Sequence, residues 1–215
     1  DLEAAVESLR TGLVLLEPLQ ENLIFAYVAM HLSLLLAEHG DVEQLDEAVA
    51  VAQQILGLVS ESTLYAGTAY CALAHVHRRR NNFPSAETAM RKAREILRTA
   101  PGLSLPGFVG AIEILLQQGR SSEAFKVAEE GLQLLETLGC GGHMEVQLRT
   151  AISRAFYAVG HIDRAHAALR EALHQVQIRA ENAPGSTAKV RYLTRAPACV
   201  QARQLAEQWG LDIVI

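Results

Sequence analysis

Residues that usually announce chemistry are scarce in this chain. Its 215 residues include three cysteines, Cys71, Cys140 and Cys199, odd in number and far apart, with no C-x-x-C pair. That spacing excludes a dithiol motif, a four-cysteine zinc site and a disulfide framework, and a reducing cytoplasm is the setting it predicts. Aromatic residues make up 5% and are scattered, which argues against a stacking platform for single-stranded nucleic acid. Basic charge is not in excess: 19 Lys and Arg stand against 24 Asp and Glu, a net charge of -5. No nucleic acid or anionic membrane partner is expected on electrostatic grounds. No apolar run approaches the roughly 18 residues that a membrane-spanning helix requires. The charged first residues do not read as a secretory signal.

Catalytic signatures are equally thin. The nearest approach to a phosphate loop, "LGCGGH" at 138–143, lacks the lysine and the preceding strand that such a loop needs. No Gly-x-Ser-x-Gly elbow occurs, and no convincing strand on which to place one. Carboxylate groups such as Glu129-Glu130, and Glu43 with Asp46-Glu47, sit among polar neighbours. A general acid–base pair instead needs a partly buried site that drives two pKa values apart. No cofactor is expected, and the chain is read as a non-enzyme.

What the chain has is a repeat. Gly160 is followed five residues later by Ala165, and the same pairing joins Gly119 to Ala124 and Asn81 to Ala86. Gly and Asn tolerate the left-handed conformation that ends a helix. An earlier copy pairs Gly40 with Ala48 through a turn three residues longer. The four alanines stand 38, 38 and 41 residues apart, a period that predicts stacked helical units. Seven and eleven residues after each alanine come Ile55 and Val59, Ala93 and Leu97, Gly131 and Leu135, and Ala172 and Val176. These offsets share one helical face, and small residues there let a neighbouring helix come close. Upstream of each turn lies another apolar segment, so the unit is helix, turn, helix.

The histidines of "GHIDRAHAAL", His161 and His166 with Asp163 between them, fall within this pattern. Their five-residue separation misses the i, i+4 geometry that would place two ligands on one helical face, so no metal is expected there. Arg78, Arg79 and Arg80, followed by Arg91, Lys92 and Arg94, form the strongest local charge feature. They read either as cations complementing a helix C-terminus or as a fork for an acidic peptide or phosphate.

With these residues in view, the sequence resembles the tetratricopeptide repeat family. Its first small position is matched by Ser33, Ala74 and Ser153, the large position three later by Leu36, His77 and Phe156, and the second-helix small positions by Ala48, Ala86 and Ala165 and by Ala93 and Ala172. Ile112 breaks the pattern in the third copy. The resemblance implies an all-α, right-handed superhelical solenoid of antiparallel helix pairs whose first helices line a concave groove. An array over 1–182, with a leading half repeat, is expected to give way to a linker at 183–196 and a capping helix at 197–210. Carried over residue by residue, the groove takes Tyr27, Met30, His31 and Leu34 from the first copy. Thr68, Cys71, His75, Arg78 and Arg79 follow from the second, Val109, Glu113 and Gln117 from the third, and Gln147, Arg154 and Tyr157 from the fourth. Such a groove would hold a protein or peptide partner, with self-association to a homodimer as the alternative and a metal-dependent enzyme as a remoter one. Trp209, in the last helix, is expected to pack rather than to touch a ligand.

Two further expectations concern context. The chain opens at Asp1 inside an amphipathic pattern, "LEAAVESLRTGLVLL", and is expected to be cut from something larger. Its ending, "RAPACVQARQLAEQWG", resembles the carboxyl ends of large bacterial multidomain signalling proteins in which a kinase or ATPase domain precedes such an array. That resemblance implies a docking or regulatory module.

Overall fold

The computed structural model describes residues 2–19 and 23–211. Asp1, where the array was expected to begin, lies outside them. The described residues form helices and no strand. In chain order these are α1 (Leu2–Leu16), α2 (Leu23–His39), α3 (Val42–Leu58), α4 (Leu64–Arg79), α5 (Phe83–Leu97) and α6 (Pro101–Gln117). They continue with α7 (Ser121–Leu138), α8 (Glu145–Ala158), α9 (Ile162–Glu181), α10 (Gly185–Arg195) and α11 (Pro197–Gln208). The chain divides into two compact units, Leu2–Gly110 and Ala111–Ile215, and the division falls within α6.

The turns form as their residues dictate. Asn81, Gly119 and Gly160 all take positive φ, at 57°, 72° and 82°. At each, the next N–H reaches back to the carbonyl five residues earlier: Asn82 to His77 at 2.8 Å, Arg120 to Leu115 at 2.9 Å, and His161 to Phe156 at 3.0 Å. The left-handed residue lets the chain fold back and satisfy a helix-end carbonyl that would otherwise be orphaned. Gly40 works differently, because its φ is not positive and its role is room. A Cβ there would lie 2.6 Å from the Leu36 carbonyl oxygen. The following helix start is a capping box: the Gln44 N–H donates to Asp41 Oδ1 at 2.9 Å while the Asp41 N–H donates to Gln44 Oε1 at 3.0 Å. Thr63 and Asn82 cap α4 and α5 by accepting the N–H groups of Ala66 and Ser85, each satisfying a donor the helix cannot.

Packing follows the repeat. In the first unit α2 lies against α1, α3 and α4, and α4 against α3 and α5. In the second, α8 packs on α7 and α9, and α11 on both α8 and α9. The marker alanines Ala48, Ala86, Ala124 and Ala165 are fully buried, as are Ala74, Ala93 and Ala172. Ser33 and Ser153 are also buried at their small positions, and each hydroxyl donates to a carbonyl three residues back, Met30 at 3.0 Å and Thr150 at 2.8 Å. That bond removes the penalty for burying a hydroxyl. Across helices, Arg10 on α1 grips Glu47 on α3 through Nε and Nη2.

The segment expected to be a linker, 183–196, instead holds α10. Its Pro184-Gly185 turn, with Gly185 at φ 82°, launches a helix rather than an extended strand of chain. No residue of α10 is fully buried; it meets the core through the half-buried Tyr192 and Leu193 alone, too few apolar positions for a helix to have been read from the sequence. No described helix is long and apolar enough to cross a membrane.

Candidate functional site

The first-helix positions assigned to the groove divide by depth. Tyr27 and Tyr157 are exposed, at 52% and 44%. Arg79 and Gln117 are exposed, while His31, Leu34, Arg78, Glu113, Gln147 and Arg154 are half-buried. Met30, Thr68, Cys71, His75 and Val109 are buried. Those five therefore support the face from within, and the exposed and half-buried positions are the ones that can meet a partner. The register assigns each residue a direction, and the neighbouring helix decides how much of it remains in view.

In the unit Leu2–Gly110 the site is organised by α2 and α4. The Tyr27 and His31 rings meet edge to face, with centroids 4.7 Å apart. Deeper along the same helices, His75 is almost fully buried, and its Nε2 lies 3.7 Å from Glu38 Oε1. Burial first, then the Arg78, His39 and Arg79 charges, opposed by the Pro106 backbone, together bring the imidazole pKa down to about 3. The imidazole is therefore neutral at pH 7, and its contact with Glu38 is not an ion pair. His39 sits 3.5 Å from the same carboxyl group, and its pKa is lowered by burial and by Arg79. Packing is close here: a Cβ on Gly110 of α6 would displace the Met90 Sδ-methyl and come within 3.2 Å of His75 Nε2.

The arginine run is partly engaged. Arg80 pairs with Asp46 on α3, and Arg79 Nη1 donates to the Ala37 carbonyl near the end of α2 at 3.4 Å. Both contacts suit cations near helix C-termini. Arg79 nonetheless remains largely in solvent. His77, the large position of this copy, is half-buried, with a pKa lowered by burial and then by Arg80.

In the unit Ala111–Ile215 two groove positions pair with each other and a third meets Trp209. Arg154 on α8 pairs with Glu113 on α6. Tyr157 stacks on Trp209, with ring centroids 4.4 Å apart and planes 14° from parallel. Trp209 thus packs as expected, although the register did not foresee that its partner would be a groove residue. The histidines of "GHIDRAHAAL" separate: His161 lies against Phe125 at 4.9 Å, and His166 against Trp209 at 5.7 Å. Among the described residues no group of three or more His, Cys, Asp or Glu side chains is placed to hold a metal ion.

Sequence reasoning missed two features. Glu38 stands beside His75 because α2 and α4 are neighbours, which no local pattern signals. A cleft of about 620 Å³, lined by α1 and by the end of α2 and start of α3, includes Val6, Arg10, Leu36 and His39 but none of the expected groove residues.

A family model described as Tetratricopeptide repeat matches residues 67–100. The match covers most of α4 and all of α5, the pair that carries His75 and the arginine run. No curated protein matches the chain significantly. Repeats of this family generally mediate protein–protein interaction and are generally scaffolds rather than enzymes.

Proposed function

We propose that this chain is a tetratricopeptide-repeat-like interaction scaffold that seats an extended or helical protein segment along the first helices α2 and α4 of the unit Leu2–Gly110, as the docking or regulatory part of a larger protein. The observation that carries this reading is the coincidence of the family match at 67–100 with the helix pair bearing Arg78 and Arg79. Nearby on α2, Tyr27 and His31 offer an aromatic edge. A segment presenting a carboxylate or an acidic run suits the two arginines, whose guanidinium groups bind such oxygens by paired hydrogen bonds. Helix grooves of this kind are read by side chains along one face, and an intact backbone scaffold is enough to hold them.

The test is affinity capture from lysate of the source cell, with the intact chain and an Arg78→Glu, Arg79→Glu variant run in parallel. The reading expects a protein with an acidic segment to be held by the intact chain and lost by the variant at unchanged helix content. Equal capture by both would move binding away from α4.

Self-association is a second reading, favoured by one specific observation. Val14 and Leu15 at the end of α1, and Leu23 and Ile24 at the start of α2, are 57–74% exposed. Large apolar side chains left exposed in this number are what a second copy would cover. Light scattering of the intact chain and of a Leu15→Glu, Ile24→Glu variant separates the two readings, because a homodimer held there dissociates in the variant and a monomeric scaffold is unaffected.

A further inference from the structure

Charge is divided unevenly along the first half of the chain. Residues 1–58 hold ten Asp and Glu against a single Arg or Lys, Arg10, whereas residues 59–100 hold seven Arg and Lys against three Glu. The cleft of about 620 Å³ opens in the acidic part, between α1, the end of α2 and the start of α3. Its depth is apolar: Val6 and Leu36 are buried and Leu35 is half-buried. Its rim is anionic, carrying the exposed Glu3, Glu7 and Asp41. Two lining groups could offset these carboxylates, and neither does. Arg10 is engaged by Glu47, its Nε donating to Oε1 at 2.9 Å. His39 is neutral at pH 7, because burial and then the Arg79 charge hold its pKa down. A cleft with walls of low dielectric and charge of one sign concentrates the field inside it. Its volume falls among those of sites that enclose an organic ligand or a few side chains. Among the described residues no group of three or more His, Cys, Asp or Glu is placed for a metal ion, so the cation that suits this cleft is one carried on an apolar body.

We infer that the cleft is a second docking site, for a protein segment in which Lys or Arg stands beside a large aliphatic residue. The aliphatic group fills the depth against Val6 and Leu36, and the cation answers the carboxylates of the rim. Lys and Arg suit such a place because their methylene stems lie along apolar surface while the charged head stays at the water boundary. A guanidinium adds paired hydrogen bonds to a carboxylate. A free polyamine has no branched aliphatic group for the depth, and a wholly aliphatic ligand leaves the rim unanswered. The site goes beyond the groove reading: none of the groove residues lines it, and the charge it selects is opposite to that selected by Arg78 and Arg79.

The test follows the anisotropy of the fluorescein-labelled peptide Leu-Arg-Lys-Leu-Arg with the full chain at about 0.15 M salt. The peptide is expected to bind, and a chain carrying both Glu3→Lys and Glu7→Lys to hold it at least about tenfold more weakly. Glu17→Lys with Glu43→Lys makes the same charge change at exposed carboxylates outside the cleft, and is expected to weaken binding less than about threefold. Ala4 is an exposed residue of the lining; Ala4→Phe fills the mouth without altering charge and is expected to abolish binding. Spermidine is expected to compete far more weakly than unlabelled peptide. Equal weakening by the two charge changes overturns the proposal, since the peptide would then be sensing net charge alone. Absent binding to the unaltered chain, full binding by Ala4→Phe, or displacement by spermidine at the peptide's own concentration overturns it too. A chain that is dimeric alone and monomeric with peptide assigns the cleft to a second copy, and also overturns it. Circular dichroism reads the helix content of each variant. If one cleft substitution lowers it, the other decides; if both do, the milder Glu7→Gln decides, with a weakening of at least about twofold expected.

Discussion

One register position, the residue after the first small position of each repeat, separates the two units. In Leu2–Gly110 it is filled by Leu34 and His75, and in Ala111–Ile215 by Glu113 and Arg154. His75 is a buried, neutral imidazole with the Glu38 carboxyl group 3.7 Å away. Arg154 and Glu113 neutralise each other while remaining partly in water. The repeat fixes where small residues must stand so that helices can approach, but it leaves the chemistry of the adjacent position open. The first unit has used that freedom to bury polarity at a cost, and the second to place it in a surface pair. The ends of the chain differ in the same sense. Leu23 and Ile24 are exposed at the start of α2, whereas the outward side of α11 carries Gln201, Gln204, Glu207 and Gln208.

The largest expected effect lies at the position occupied by Leu36, His77 and Phe156. Phe156 is 1% exposed and touches the Phe125 ring and the Arg164 guanidinium. Phe156→Ala should cost about 3–5 kcal/mol by cavity formation, read as a lowered urea midpoint. His77→Ala, at a half-buried site, should cost clearly less. Comparable losses would mean that the two units rely on this slot equally.

Next in size is pH. The His75 pKa is about 3 in the folded chain and 6.5 for an unperturbed histidine. Between those values the unfolded chain binds the proton and the folded chain does not, so the stability present above pH 6.5 is lost as pH falls toward 3. From pH 6.5 to 5 the loss from this group should be about 2 kcal/mol. Hydrogen exchange of α4 amides should show it, α8 amides should show less, and His75→Leu should flatten the α4 response. An unchanged slope in His75→Leu would assign the effect to His39.

Smaller effects test how tightly each helix is approached. Gly67→Ala places a Cβ 2.7 Å from Leu97 Cγ and should destabilise by roughly 1–3 kcal/mol through overpacking. Gly57→Ala, where a Cβ meets nothing within 4 Å, should instead gain about 0.5 kcal/mol of helix propensity. Thermal melts of the two variants should therefore shift in opposite directions. The smallest effect expected is that of Arg154→Ala, at most about 1 kcal/mol, because its pair with Glu113 is partly solvated. It should shrink further at high salt in the same melts.

What the sequence made legible follows from what a repeat must keep. Asn81, Gly119 and Gly160 were identifiable as helix ends because few residues adopt positive φ, and the buried alanines because only small side chains let helices close. What stayed hidden depends on neighbours distant in sequence. His75 could be placed on a face, but its depth and its proximity to Glu38 come from the approach of α2 and α6. Tyr157 could be placed in the groove, but its cover, Trp209, lies 52 residues later in the chain. The helix α10 was missed because only Tyr192 and Leu193 turn toward the core, leaving a Pro-Gly turn and a mostly polar run to read.

The most direct test of the central claim, that partners are met by the first helices of the repeats, is site-specific photo-crosslinking in the source cell. A benzophenone side chain would replace Tyr27 or Arg79 on the first helices, or the exposed Arg91 on α5. Protein adducts are expected from positions 27 and 79 and none from position 91. Adducts from 91 alone, or equal adducts from all three, would contradict it.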